Sequence, residues 1–466
     1  MSFISDLRSA PPVGRAVALT AAALGITYGY DISNIAAVLL FLEKDFGLDT
    51  TGQATMATAV VVGQIVGAIS GGSLANAIGR KKTMLIVAAG YVVFSVAGAF
   101  APTAGVLLFL RALLGVSIGL SITVVPVFIA ESSPNRIRGG LLTAYQVTTV
   151  LGIIVGYLVG WGLSFLESWR WMLGAAAVPA TIVFVALLRI SETPQWLVMR
   201  GRVAEARAVL LNINAPKEAE EELRSISESV NQNGGGNDLK HLGEMFRRPI
   251  SRATVFAIAL GFFIQITGIN ATIYYAPRIF EQMGFHGTAQ QLLLPAVVQT
   301  FGLAAVLVSM VVIDSFGRRR VLLSGIGTMI LADLLLVLVY LMGADSSTLF
   351  LVVGFIGVVL FTMGFTGGFG AIVWVYAGEL FPTRYRALGA SLVLTADLVA
   401  NAIVAQLFPP LLERVGGAGV FSIFGVLAAV AFVTVFRYAP ETKGRKLEDI
   451  QSYWENGAKW DDKVKA

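Results

Sequence analysis

Two ionisable residues of opposite sign stand alone in segments otherwise built from apolar and small side chains. Asp31 lies in "GITYGYDISNIAAVLL" (25–40) and Arg111 in "VLLFLRALLGVSIGL" (106–120). An isolated ionised aspartate deep in a bilayer costs about 2.5 to 3.5 kcal/mol on insertion scales, so such a group is paired, protonated or hydrated. Counting 1.5 Å per residue from the basic entry near Arg15 puts Asp31 about 24 Å along its helix. Arg111, on a helix that runs the other way, sits about 8 residues, or roughly 12 Å, from the outer end. The two charges therefore fall at similar depth and can pair. An acid that holds its arginine in one arrangement and loses it in another binds and releases a proton. The alternative is a permanent structural ion pair, but a buried pair is by itself weak evidence of stabilisation.

Other chemistries find little support. The chain has no cysteine, so disulfides, thiolate metal sites and a catalytic thiol are excluded. Its two histidines, His241 and His286, lie far apart in the sequence. No Gly-rich nucleotide loop and no metal-ligand spacing occurs, which argues against an enzyme, a metal site, a cofactor and an ATP-driven pump.

The elements that must carry Asp31 and Arg111 follow from composition. Of 466 residues, 56% are hydrophobic and only 14% charged, where soluble domains carry about 25% charged residues. Apolar segments long enough to cross a hydrocarbon core of about 30 Å recur along the whole chain. Twelve are counted, centred near residues 28, 64, 92, 116, 152, 180, 263, 302, 332, 362, 398 and 428. Backbone groups in lipid must be satisfied internally, so these are helices and the protein is an all-α membrane protein. The net charge of +5 sits in "GRKK" (79–82), "RIRG" (136–139), the stretch 189–252, "GRRR" (317–320), "RYR" (384–386) and the C-terminal tail. With twelve alternating helices all of these fall on one side, which the positive-inside rule makes the cytoplasm, with both termini there. The basic surplus then needs no nucleic acid to explain it. The polar N-terminus shows no cleavage site after an isolated apolar core, so no signal peptide is expected.

Between about 190 and 251 the chain becomes charged. Leu223, Ile226 and Val230 recur at helical spacing, Gly234 to Gly236 mark a break, and Asp238 suits an N-cap. The expected organisation is a six-helix bundle over 1–189, a cytoplasmic helical connector over 190–251, a second six-helix bundle over 252–438 and a cytoplasmic tail over 439–466. The halves repeat each other: "ANAIGRKKTML" answers "IDSFGRRRVLL", "AESSPNRIRGG" answers "AGELFPTRYRALG", and "SETPQWL" answers "PETKGRKL", at offsets of 238 to 249 residues. Parallel six-helix repeats with a midplane site are the architecture of a large class of secondary transporters. Gly63, Gly67 and Gly71, and again Gly152, Gly156 and Gly160, predict close helix contacts.

At these loops the sequence resembles the sugar porter family of the major facilitator superfamily, over nearly the whole chain. The resemblance rests on "GRKK", "DSFGRRR", "PVFIAESSPNRIRGG", "SETPQWL", "GINATIYYAPRIF" and "PETKG", six motifs in order. It implies the major facilitator fold, two pseudo-symmetric six-helix bundles, and proton-coupled symport of a sugar or polyol by alternating access in a cell membrane, with the proton as coupling ion. It implies the coupling role for Asp31 and Arg111. It also implies a cytoplasmic gating network of Arg80, Glu131, Arg138 and Glu192 in the first half and Asp314, Arg318, Glu379, Arg386 and Glu441 in the second. Breaking and remaking such pairs gives rigid halves two discrete arrangements. Asn76 stands where the family's first loop has an acid, which predicts a weaker first-half latch. The chain is expected to work as a monomer in the lipid bilayer.

Sugars are neutral polyhydroxylated rings, and holding one needs amides that both donate and accept together with aromatic faces. The resemblance places Gln146, Gln265, Asn270 and Trp374 at the sugar, with Tyr274 and Tyr275 following. The site also departs from the family pattern. Ile264 replaces the first of two glutamines, Gly302 stands near a usual asparagine, and "GAIVW" lacks prolines before Trp374. Asp397 takes the place of another asparagine, with Asn401 one turn on. Asp397 is expected to contact substrate or bind a second proton; Asp333 is expected to be neutral and hydrogen-bonded. A facilitator, a sensor without turnover, and an exporter of cationic or amphipathic compounds that uses Asp397 are the other readings.

Overall fold

The computed structural model describes residues 12–133, 138–232, 238–248, 250–343, 347–381, 385–445, 447–456 and 460. The first half is built of α1 (Pro12–Phe46), α2 (Thr50–Ile78), α3 (Arg80–Ala99), α4 (Ala104–Ser132), α5 (Arg138–Leu163) and α6 (Trp169–Leu188). Four short helices follow: α7 (Pro194–Met199), α8 (Val203–Ile213), α9 (Pro216–Gln232) and α10 (Asp238–Met245). The second half begins with a seventh span in three pieces, α11 (Ser251–Ile266), α12 (Ile269–Tyr274) and α13 (Ala276–Gln282). It continues through α14 (Thr288–Phe316), α15 (Arg318–Leu341), α16 (Thr348–Gly364), α17 (Gly370–Glu379), α18 (Arg386–Tyr438) and α19 (Leu447–Glu455).

Among the described residues eleven helical stretches are long and apolar enough to cross a membrane. The last, α18, has 53 residues, far more than the about 20 that a bilayer takes. Gly416, at φ 66° and ψ 176°, breaks it into two helices, so the spans number twelve, as the sequence predicts. Large apolar side chains such as Ile69, Val311 and Leu331 are exposed on this surface, where lipid is the solvent.

Contacts divide the chain into two compact units. One holds residues 1–34, 59–159 and 166–236; the other holds 35–58, 160–165 and 237–466. This differs from a cut at the connector, because the stretch 35–58 clusters with the second unit. Polar contacts account for that: Arg278 Nη2 donates to Gln53 Oε1 at 2.5 Å, Gln406 Nε2 to Thr55 Oγ1 at 3.3 Å, and Thr50 bonds Glu413.

The glycine triplets do what their spacing predicts. A Cβ on Gly63 would lie 2.0 Å from Ala112 O and one on Gly67 2.1 Å from Val116 O, so α2 and α4 meet backbone to backbone. Gly152 likewise admits Ile26 O, and Gly156 the Ser33 hydroxyl, which seats α1 on α5. Only a residue without Cβ permits such approach. In the connector, Leu223, Ile226 and Val230 pack with Trp196, Leu197, Ala206 and Leu210, as their periodicity requires. Asp238 begins α10; its side chain and Gly234–Gly236 lie outside the described residues. On the exposed face, a 2.6 Å hydrogen bond from Arg202 holds the Glu205 carboxyl below the usual carboxylate range.

Candidate functional site

In the first unit Asp31 and Arg111 meet. Arg111 Nη1 lies 3.6 Å from Asp31 Oδ1, and their side chains are 3% and 7% exposed. Neighbouring contacts fix the face that α1 presents. Tyr30 Oη and Asn34 Nδ2, four residues apart, both donate to Met172 O at 3.0 Å, which pins α1 to α6 on either side of Asp31. The α2–α4 glycine contacts at Gly63 and Gly115 set the height of α4 one turn from Arg111. A separation of 3.6 Å exceeds the about 2.7–2.9 Å of a charge-assisted hydrogen bond. The pair is a Coulombic contact without a bidentate lock, an arrangement that a small movement can part. Tyr91 stands within electrostatic range of Asp31, Tyr28 and Tyr145. The hydroxyls of Tyr91, Tyr145, Ser95 and Ser121 are buried without a hydrogen-bond partner among the described residues.

In the second unit four of the expected substrate residues converge. A Cβ on Gly261 would lie 2.4 Å from Val393 O, so α11 and α18 nearly touch there. One turn further along each helix stand Gln265 and Asp397, both buried. Asn401, one turn beyond Asp397, donates from Nδ2 to Tyr274 Oη at 3.3 Å. The break in the seventh span makes this possible. Gly268 adopts φ +97°, and a Cβ there would strike the Phe424 ring at 2.3 Å; only glycine serves. Helix α12, which starts after it, carries Asn270 and Tyr274, both buried. Trp374 lies on α17 just past a π-helical turn, Phe365–Phe369, and is 37% exposed. Gln146 is half-buried on α5 in the first unit.

Asp333 behaves differently from the expectation of a hydrogen-bonded acid. It is 1% exposed, and neither carboxylate oxygen has a hydrogen-bond partner among the described residues. The missing side chain at Gly425, whose Cβ would lie 3.2 Å from the Cβ of Asp333, makes its room.

The charged clusters at the repeated loops form the same constellation twice. In the first unit Arg80 Nη2 pairs with Glu131 Oε1 at 3.0 Å, and Thr193 Oγ1 donates to Glu131 Oε2 at 2.6 Å. Glu192 accepts from the Lys81 backbone N–H at 3.0 Å beneath Gly79, whose φ is +105°. In the second unit Arg318 Nε faces Glu379 Oε1 at 3.6 Å, and Thr442 Oγ1 donates to Glu379 Oε2 at 2.5 Å. Glu441 accepts from the Arg318 and Arg319 N–H groups at 2.9 and 3.2 Å beneath Gly317, whose φ is +92°. Glu192 and Glu441 are thus anionic caps on the N-termini of α3 and α15, where the helix dipole favours negative charge. Sequence reasoning found the charges but not this role.

The expectation of a weaker first-half latch at Asn76 turns on its counterpart Asp314, whose side chain lies outside the described residues. Arg80–Glu131 is shorter and more buried than Arg318–Glu379, whose side chains are 18% and 29% exposed. Asn76 contributes through its backbone instead, its carbonyl accepting from Trp196 Nε1 at 3.0 Å and Arg200 Nη2 at 3.1 Å. Arg386 is half-buried at the start of α18. The side chains of Arg138 and Asp314 lie outside the described residues.

The contacts of Arg278 were not anticipated. Besides Gln53 it approaches Glu43 Oε2 at 3.7 Å, and these three residues line a small cavity of about 20 Å³ with Tyr274 and Tyr275. The signal was an arginine in "YYAPRIF" and an acid in "FLEKDF", opposite charges near the ends of their apolar segments.

Comparison with known proteins agrees with this geometry. Residues 17–454 match the model of the family described as sugar (and other) transporter. The glucose transporter GlcP of Staphylococcus epidermidis is 31% identical over 428 residues, covering 92% of this chain and 94% of that one. The galactose-proton symporter of Escherichia coli K12 is 30% identical over 445 residues, 95% of each chain. Among solved structures, the partially occluded inward-open xylose transporter XylE of E. coli superposes with a TM-score of 0.81 at 23% identity, over 93% of this chain and 99% of that one. That likeness shows that the chain has the fold of that transporter.

Proposed function

From the premise that the chain belongs to the sugar (and other) transporter family, a multi-pass membrane protein and not an enzyme, we propose that it is a proton-coupled symporter of a sugar or polyol. Its termini are cytoplasmic and its cycle is alternating access. The observation that carries the coupling is the buried Asp31–Arg111 contact at 3.6 Å. An ion pair kept only for stability has no need of a bilayer depth where desolvation offsets much of its attraction. A pair that parts once per cycle explains both the burial and the length.

The cycle runs as follows. While Arg111 is close, Asp31 is an anion and binds no proton. When α1 and α4 shift and the guanidinium withdraws, the stranded carboxylate binds a proton from the outer solution. The neutral acid then allows substrate closure and inward opening. Return of Arg111 expels the proton to the cytoplasm. Substrate is held by Gln265, Asn270, Asn401, Asp397, Tyr274 and Trp374 of the second unit, whose amides donate and accept with ring hydroxyls while the aromatic faces cover C–H surface. The duplicated constellations at Arg80 and Arg318 keep each unit rigid, so that motion occurs as a switch between two packings rather than as a deformation. The galactose-proton symporter relative supports this reading.

The test is Asp31→Asn in proteoliposomes. Uphill accumulation is abolished while exchange of internal for external substrate persists. Equal loss of both in folded protein refutes the coupling role and leaves a structural pair.

A further inference from the structure

The cluster around Asp397 holds three buried acceptors that no donor reaches. Gln265 Oε1, Asp397 Oδ1 and Asn401 Oδ1 have no hydrogen-bond partner among the described residues, on side chains that are 9%, 5% and 1% exposed. The amide donor of Asn401 is engaged, Nδ2 bonding Tyr274 Oη at 3.3 Å. An ionised carboxylate offers a ligand acceptors alone. Asp397 and Asn401 are four residues apart on one helical face, and Gln265 and Asp397 each lie one turn beyond the close approach of Gly261 to Val393, which brings the three side chains to the same region of the α11–α18 contact. The seventh span carries no Lys, Arg or His between Arg252 and Arg278, and α18 none between Arg386 and Arg414. Nothing on these two stretches neutralises the carboxylate.

Buried polar groups without partners carry the full cost of desolvation, and each in a native structure calls for a partner such as a water, an ion or a ligand. A hydroxyl brings one donor and two lone pairs, so a neutral sugar adds acceptors to a site already in surplus. An ammonium brings three donors and no acceptor. We propose that the substrate is an amino sugar or amino polyol, its ammonium seated on Asp397, Gln265 and Asn401. This rests on the reading of the pocket as the substrate site, and narrows it from sugars in general to aminated ones. The charge of the ammonium is met by Asp397, and the remaining hydroxyls fall to Asn270, Tyr274 and Trp374.

Thermal unfolding of the purified protein is measured against 2-amino-2-deoxy-D-glucose and 1-amino-1-deoxy-D-glucitol, their neutral parents D-glucose and D-glucitol, and their N-acetyl derivatives. A ligand that binds only the folded state raises the midpoint with concentration. The amines are expected to act at concentrations about ten-fold or more below those of the parents, since hydrogen bonds between ions are the strong ones, and acetylation removes the advantage. Asp397→Asn brings the ratio of amine to parent to about one, whatever the absolute affinities. Parents equal to or better than amines overturn the proposal and leave the sugar reading standing. An advantage that survives acetylation, or that persists in Asp397→Asn, overturns it as well. No stabilisation by any of the compounds overturns both the proposal and the substrate-site reading beneath it.

Discussion

Removing Arg80 should damage the protein far more than removing its repeat counterpart Arg318. The Arg80 and Glu131 side chains are 7% and 8% exposed and 3.0 Å apart, so Arg80→Ala strands a carboxylate that water cannot reach. Breaking a buried pair from one side costs about 3–5 kcal/mol. Arg318 and Glu379 are 18% and 29% exposed at 3.6 Å; each glutamate keeps a threonine donor, Thr193 on Glu131 and Thr442 on Glu379, so exposure is what separates the two pairs. Water can replace much of the Arg318 guanidinium, and the loss approaches the about 1 kcal/mol of an accessible pair. The two variants should therefore differ by about 2–4 kcal/mol. The assay is thermal unfolding in detergent micelles followed by tryptophan fluorescence, the two variants side by side. Adding Glu131→Gln to Arg80→Ala should recover part of the loss, because a buried amide costs less than a buried uncompensated charge. A fall for Arg318→Ala that equals or exceeds that for Arg80→Ala, or no recovery in the double variant, refutes the argument that burial decides the worth of each pair.

Three further outcomes are expected. Gly268→Ala forces a left-handed φ on a Cβ, at about 1–2 kcal/mol, and drives it into the Phe424 ring, at about 1–3 kcal/mol more; a lowered unfolding midpoint with weakened substrate binding checks it. Gly67→Leu meets the backbone of α4, which cannot yield, so folded monodisperse protein should be lost on size-exclusion chromatography. Alanine at Asn270 should weaken substrate binding about two- to twelve-fold, the value of one hydrogen bond of about 0.5–1.5 kcal/mol, as measured by titration calorimetry.

How much of this was legible in the sequence depends on the range of the interaction concerned. The spans followed from lipid's demand for self-satisfied backbone, and the connector face of Leu223, Ile226 and Val230 from helical period; both are local rules. The approach of Asp31 to Arg111 is long-range, yet counting the rise along two antiparallel helices was enough, because a bilayer fixes where helices begin. The placing of Gln265 near Asp397 was not legible. It depends on Gly261 meeting Val393, and nothing in either stretch names the other as its neighbour. The capping of α3 and α15 by Glu192 and Glu441 was missed for a similar reason: the repeat showed that the charges recur but not that each carboxylate aims at backbone N–H groups beneath a glycine. Asn76 shows a limit of reasoning by residue type, since its carbonyl does the work and its side chain was the clue followed. The polar contacts of 35–58 with Arg278, Gln406 and Glu413 depend on which ends of distant helices approach, which composition does not encode.

The claim that a proton travels with the substrate is tested most directly by watching the proton. Proteoliposomes with a pH-sensitive dye inside and no imposed gradient receive external substrate, and the lumen is followed as substrate runs in. The account predicts acidification of the lumen that tracks substrate entry in the unaltered protein and is absent in Asp31→Asn, whose substrate exchange continues. Substrate entry without acidification in the unaltered protein, or acidification undiminished in Asp31→Asn, contradicts it.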